Sequence, residues 1–414
     1  MAGSFFYLQK ILLLCDIVGK GACTAHITPM RQYLFQYEKG QTRHLLQANA
    51  SVAVHLRFFH ISHSLFPYPL YHCASTTMLK HTYTYEEPFE LEAGGRLKEG
   101  ITICDHTSCE ERGDRPVIWI CHALTANSDA EDWWNTLVGP GLLFDTEKYY
   151  IVCANILGSC YGTTGPAMCP EAPMRRFPLV TIRDLVKAHN LLRLHLGIER
   201  IDLLIGGSNG GFQSVEWAIS NPSLVKNLCL IATSAIVSPW CSANMESQRM
   251  ALETDPTFDE QKDLKGGARG LATARSMSML TYRNYEGYGR TQFETDPDFL
   301  QARRAITYQQ YQGQKLVNRF DAYSYYSLLL GVDTHNTGRG RGGVEAALGH
   351  ITAKTLCIGI DSDILFPVSE SRRIAEAVPD GKCEVISSAF GHDGFLLEYQ
   401  QIGECLRKHF NLFE

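Results

Sequence analysis

Apolar residues gather in six short runs along this chain: 116–121 (PVIWIC), 149–155 (YYIVCAN), 201–205 (IDLLI), 227–232 (NLCLIA), 355–360 (TLCIGI) and 383–387 (CEVIS). These runs are too short for helices and mostly lack polar alternation, so they predict strands buried on both faces. The segments between them change period. Thr181-Ile182-Arg183-Asp184 opens a helix with a capping-box pattern, and Gly197 stops it. Residues 212–219 place Phe212, Val215, Trp217 and Ile219 in a helix-compatible pattern that ends at Asn221-Pro222. Strands alternating with helices predict a mostly parallel sheet with helices on both faces, an α/β architecture. Ahead of the first run, the polar and turn-rich stretch from Met78 predicts antiparallel strands, one of them at 100–104.

Between 234 and about 331 the alternation lapses. Segments 271–282 and 305–330 read as helices rich in aromatics and methionines. A helical insertion of this kind, about 235–331, suits a lid over an active site, and equally another packed layer. Residues 1–77 differ from everything after them. They hold six lysines and arginines, two acids (Asp16 and Glu38) and six of the fifteen histidines, without clean periodicity. Lys10 and Asp16 flank the apolar residues 11–14, which fits a signal peptide poorly. The expectation is a poorly ordered N-terminal extension over 1–77, translated from upstream of a start at Met78, and one domain over 78–414.

Composition narrows the function. At 414 residues with 45% hydrophobic and 20% charged positions, the chain has room for one large α/β domain with an appended piece. A net charge of −6 argues against nucleic acid as the main partner. The Arg-Gly stretch 338–343 lies inside the folded region and reads as a loop rather than an RNA-binding tail. No apolar run approaches the ~20 residues that a membrane-spanning helix needs. The fourteen cysteines include no C-x-x-C pair and no cluster at zinc spacing, so no metal is expected. Several fall inside predicted strands (Cys121, Cys153, Cys229, Cys357), where a thiol packs as a small apolar group. That usage belongs to a reducing compartment and points to the cytoplasm.

The chemistry starts at Gly206-Gly207-Ser208-Asn209-Gly210. This is G-x-S-x-G between a predicted strand and a predicted helix, the setting in which a sharp turn presents a serine nucleophile and only tiny neighbours fit. A serine needs a base, and the base needs an orienting acid. The chain order in such folds is Ser, then acid, then His. Past the strand at 355–360 the loop offers Asp361 or Asp363. Past 383–387 the loop offers His392. His335 competes as the base, but it follows a predicted helix and precedes the acids. An oxyanion would sit on two backbone N–H groups, that of Asn209 and one from the loop after 116–121, where Leu124 is the expected donor.

The blocks CHALTANSDAEDWW, LVGPGLLFDTEKYYIVCANILGSCYGTTGP, VTIRDLV, GGSNGG, IATSA, SDILFP and GHDGFLLE, in this order from about Met78 to the C-terminus, resemble the homoserine O-acetyltransferase family of α/β-hydrolase-fold acyltransferases. The resemblance implies acetyl transfer from acetyl-CoA to the hydroxyl of L-homoserine, on the route to methionine, with no cofactor and a homodimer. It implies Ser208 as nucleophile, Asp363 as the acid and His392 as the base. It also implies that Arg275, Tyr282 and Asp393 hold homoserine. The spacing of Arg275 and Tyr282 agrees, because seven residues span two helical turns and put both on one face about 10 Å apart. An arginine forks onto a carboxylate and an aspartate pairs with an ammonium, the two groups of an amino-acid acceptor. Two positions depart from the family pattern. Asn209 stands where methionine is usual, and Ala126-Asn127-Ser128-Asp129 follows HALT. Relatives of this architecture use succinyl-CoA or acetylate serine, and a hydrolase needs only the triad, so these are the competing expectations.

Overall fold

The computed structural model describes residues 78–413; the extension expected over 1–77 lies outside the described residues. Its centre is an eight-stranded sheet in the order β1-β4-β6-β5-β7-β8-β9-β10. The strands are β1 Leu79–Tyr85, β4 Ile101–Thr107, β5 Val117–Cys121, β6 Tyr150–Ala154, β7 Leu203–Gly207, β8 Asn227–Ile231, β9 Lys354–Ile360 and β10 Gly381–Ile386. A small hairpin, β2 Phe89–Glu90 with β3 Arg96–Leu97, stands apart from the sheet. β4 pairs antiparallel with both β1 and β6, and every pair from β6 to β10 is parallel.

The central strands are buried on both faces, and their side chains divide strictly by period two. From β5, Val117, Trp119 and Cys121 enter one core while Ile118 and Ile120 enter the other. The same split runs through β6, with Val152 and Ala154 on one side and Ile151 and Cys153 on the other. One face is covered by α2 Ile182–His195 and α3 Asn209–Ser220, where Trp119 of β5 meets Trp217 of α3 edge to face at 4.9 Å. The other is covered by α1 Ala130–Trp133 and α13 Tyr399–His409, through Trp134, Ile402 and Leu406. Helix α2 begins with the expected capping box, Thr181 and Asp184 each holding the other's backbone N–H, and Gly197 past its end has φ +62°.

Between β8 and β9 the chain leaves the sheet for a helical segment. It comprises α4 Pro239–Glu253, α5 Pro256–Glu260, α6 Ala268–Tyr282, α7 Tyr285–Gln292, α8 Arg303–Val317, α9 Ala322–Asp333 and the short α10 Val344–Leu348. The helical run expected over 305–330 is two helices. Asp321 breaks it by accepting the Ser324 N–H at 2.8 Å, an N-cap that starts α9 afresh. The remaining helices are α11 Val368–Ala377 after β9 and α12 Gly394–Leu397 after β10.

The Arg-Gly stretch is a structural loop. Arg341 donates to both carboxylate oxygens of buried Glu216, at 2.6 and 2.8 Å, and Arg339 pairs with Glu92 at 3.0 Å. Among the described residues no helix is long and apolar enough to cross a membrane. One buried group was unforeseen. Asp105 of β4 points to the same core face as Ile101 and Ile103, is 1% exposed, and neither of its carboxylate oxygens has a hydrogen-bond partner.

Candidate active site

β7 ends at Gly207 and α3 begins at Asn209, so Ser208 stands alone in the turn, with φ 57° and ψ −125°. This is a conformation that L-residues adopt only under constraint. The constraint is visible in the glycines around it. A Cβ on Gly206 would lie 2.2 Å from the Gly210 carbonyl oxygen, and one on Gly210 would lie 2.0 Å from that of Cys121 at the end of β5. The turn is held from the other side by Thr233, whose hydroxyl donates to the Ser208 carbonyl at 2.8 Å.

His392 comes from the turn after β10, its ring packed near Phe366, Phe395 and Tyr282. Its Nε2 is 2.8 Å from Ser208 Oγ and its Nδ1 is 2.7 Å from Asp363 Oδ2. Asp363 Oδ1 accepts the N–H groups of Leu365 and Phe366 at 2.8 and 3.0 Å, which keeps the carboxylate in an acceptor-only role. That assigns the Nδ1 proton to the Asp363 side and leaves Nε2 to accept the serine proton. Asp363 and His392 are both buried. The alternatives do other work. Asp361 is exposed and accepts the Ser388 N–H at 3.1 Å, bracing the neighbouring loop. His335 is buried, stacked on Phe212 at 3.8 Å and bonded to the Ser234 carbonyl at 2.8 Å. Burial holds its imidazole down at about 4, so it is a neutral core residue.

Of the two expected oxyanion donors, one follows the serine in sequence and the other lines its cavity. Asn209 opens α3, where no carbonyl four residues back in the helix takes its N–H. Leu124 lies on the loop after β5, which lines the same cavity as Ser208. That loop is shaped by His122. The Ile156 N–H donates to its Nε2 at 3.2 Å, so its Nδ1 carries the proton and donates to the Ala123 carbonyl at 2.8 Å. Burial depresses this imidazole to about 4, which keeps it neutral and the arrangement fixed.

Ser208 and His392 open onto a cavity of about 560 Å³ that Arg275, Tyr282 and Asp393 also line. Arg275 and Tyr282 share one face of α6, the guanidinium 5.2 Å from the ring centre. Burial, with the nearby Tyr325, pushes the Tyr282 phenol far above its ordinary range and keeps it a neutral hydroxyl. Asp393 follows His392 directly. All eight residues expected from sequence thus converge on one region. Three cations there were not anticipated. Arg283 Nε lies 2.9 Å from Asp393 Oδ2, an ion pair whose N–H is not aimed at the oxygen. Lys315 in the last turn of α8 and Arg319 just past its end line the cavity. Arg319 donates to the Thr125 carbonyl at 2.5 Å and to the Tyr161 hydroxyl at 2.6 Å, tying that helix end to the loop that bears Leu124. The i,i+4 spacing of Lys315 and Arg319 was a usable signal, whereas nothing local announces the partner of Arg283.

A serine on a strand–turn–helix elbow, with His and acid supplied in order by later strands of a parallel sheet, defines the α/β-hydrolase class, and the family model described as alpha/beta hydrolase fold matches residues 116–399. Within that class the chain belongs to the homoserine O-acetyltransferase family. It is 41% identical over 341 residues to the homoserine O-acetyltransferase of Cyclobacterium marinum, covering 80% of this chain and 95% of that protein. The homoserine O-acetyltransferase of Chlorobium luteolum is 40% identical over 340 residues, covering 79% and 93%. Among solved structures, the homoserine O-acetyltransferase from Staphylococcus aureus superposes with a TM-score of 0.68 at 28% identity, covering 81% of this chain and 95% of that one. Esterase E22 superposes at 0.72 with 21% identity, covering 81% and 100%, and shows the fold alone.

Proposed function

We propose that this protein moves an acetyl group from acetyl-CoA to the side-chain hydroxyl of L-homoserine by a ping-pong mechanism, with Ser208, His392 and Asp363 as its triad. The observation that carries the reading is the shared cavity. An arginine, a neutral tyrosine hydroxyl and a carboxylate face the space in front of the serine, a set matched to an amino-acid acceptor rather than to water.

In the first half-reaction His392 Nε2 takes the Ser208 proton as Oγ attacks the thioester carbon. The carbonyl oxygen becomes an oxyanion held by the Leu124 and Asn209 N–H groups. Collapse of the intermediate breaks the C–S bond, the sulfur takes the proton from His392, and the acetyl ester remains on Ser208. Asp363 holds the imidazole in its working tautomer and stabilises the imidazolium. In the second half-reaction homoserine places its carboxylate on Arg275 with Tyr282 beside it, and its ammonium on Asp393. His392 now takes the proton of the acceptor hydroxyl, which attacks the acetyl ester, and the serine leaves with that proton. Water reaching the acetyl-enzyme would waste it. The helical segment between β8 and β9 supplies a lid in this reading.

The assignment extends to setting. Free thiols buried in four central strands support a reducing, cytoplasmic location. Apolar side chains exposed on the helical segment, Tyr285, Phe293 and Leu300, support a homodimer. An acetylated amino-acid hydroxyl is an activated leaving group for later sulfur chemistry, in keeping with a place in methionine synthesis. The test is product analysis with acetyl-CoA or succinyl-CoA against homoserine, serine or water. O-acetylhomoserine as the dominant product supports the proposal. Dominant hydrolysis, succinyl transfer or serine acetylation would replace it.

A further inference from the structure

The acceptor side of the cavity contains a contact that the acceptor assignment leaves unused, the ion pair of Arg283 with Asp393. Arg283 is the first residue past α6, directly after Tyr282, and its backbone is extended. Its guanidinium is pinned at both ends, with Nε 2.9 Å from Asp393 Oδ2 and Cζ 5.2 Å from the centre of the Phe390 ring. The backbone explains why these groups meet. Gly391 has φ +63°, and a Cβ there would lie 3.0 Å from the Arg283 carbonyl carbon and 3.3 Å from the Tyr282 carbonyl oxygen. The turn that carries His392 and Asp393 therefore rests against the end of the helix that carries Arg275 and Tyr282.

We infer that Arg283 is a positioning residue for the acceptor: it anchors one oxygen of Asp393 and keeps that carboxylate ionised, so that the group facing the cavity is an anion able to take the acceptor's ammonium. The reason is electrostatic. The Asp393 side chain is 14% exposed, and a carboxylate so enclosed takes up a proton unless cations hold it. Burial is the largest influence and leaves the Asp393 carboxyl raised above its ordinary value; Arg283 is the strongest of the groups that oppose it, ahead of Arg275 and His392, and Asp363 pushes with the burial. Two phenols also feel its charge, Tyr282 on α6 and Tyr288 on α7, both driven upward by burial and therefore neutral, while α7 carries Glu286 and Arg290 on its exposed side. Of the two arginines, Arg275 is needed for the acceptor's carboxylate. Arg283 is the one dedicated to Asp393, and it neutralises no group of the acceptor.

This inference rests on the acceptor assignment proposed above, and the experiment separates the two. Acetyl loading onto the enzyme and transfer to homoserine are measured as separate half-reactions across pH for wild type, Arg283→Met and Arg283→Lys. Arg283→Met should load acetyl at the wild-type rate. Its transfer step should lose activity at neutral pH and recover as pH rises, the acidic limb moving up by roughly one pH unit or more, since an adjacent opposite charge holds a carboxylate down by about one to three. Arg283→Lys keeps the charge and should hold the limb near its wild-type position. An unmoved limb in Arg283→Met overturns the inference and leaves the acceptor assignment standing. Equal loss of loading and transfer also overturns it, because it makes Arg283 a support of the whole site. A wild type that loads acetyl but passes none to homoserine removes the acceptor assignment and this inference together.

Discussion

Asp105→Asn should stabilise the protein, by an amount that depends on pH. Asp105 lies in β4 facing the core with both oxygens unpartnered, and burial pushes its carboxyl from 3.8 up to about 6. The folded state therefore holds this proton more tightly than the unfolded chain does. Stability is undiminished below the unfolded value, falls as pH rises from about 4 to about 6, and stays reduced above that. A displacement of about two pH units is worth about 3 kcal/mol at pH 8, shrinking to about 1 kcal/mol at pH 4.5. Asparagine keeps the shape without the charge and should recover most of that cost. At roughly 2 cal/mol/K per residue over some three hundred residues, 3 kcal/mol is a rise of about 5 °C in thermal midpoint. Thermal unfolding of both proteins at pH 8 and pH 4.5, followed by near-ultraviolet circular dichroism, checks this. A gain equal at both pH values, or no gain at pH 8, would refute the claim that a buried unpaired carboxylate is the cause.

Asp363→Asn should leave the fold intact but lower acetyl loading by on the order of 10⁴-fold, because the amide would favour the wrong tautomer of His392; stopped-flow loading rates read this directly. Arg275→Ala should load acetyl normally and lose about ten- to a hundred-fold in kcat/KM for homoserine, the worth of one charge-assisted bond, with Arg275→Lys restoring little of it. Gly210→Ala should yield little soluble protein or an inactive one, since its methyl would overlap the Cys121 carbonyl at 2.0 Å; expression and acetyl loading report both outcomes.

What the sequence made legible follows from burial. β5, β6, β8 and β9 lie within one residue of their expected bounds at either end, because strands covered on both faces are written as unbroken apolar runs. The elbow strand lies two residues later than its apolar run predicts. Its apolar run stops at Ile205, yet Gly206 and Gly207 continue the ladder opposite Leu230 and Ile231, where pairing needs only backbone. The candidate triad is legible because each member sits just past a strand, in an order that the topology dictates. Asp361 and Asp363 were not separable by spacing alone. Arg283 and Arg319 were illegible for a different reason. Their partners, Asp393 and the Thr125 carbonyl, lie far away in sequence, and only the docking of helices on loops brings them together. Asp105 was hidden because a charged residue in a half-polar strand reads as a solvent-facing position.

The central claim is that Ser208 carries the acetyl group between two substrates. Intact-mass measurement of the wild-type protein after mixing with acetyl-CoA should show a gain of one acetyl group. Peptide mapping should put it on Ser208, added homoserine should remove it as O-acetylhomoserine, and Ser208→Ala should never acquire it. An acetyl group that loads normally on Ser208→Ala, or a wild type that forms O-acetylhomoserine only when both substrates are present and never as an isolated acetyl-enzyme, would contradict the account.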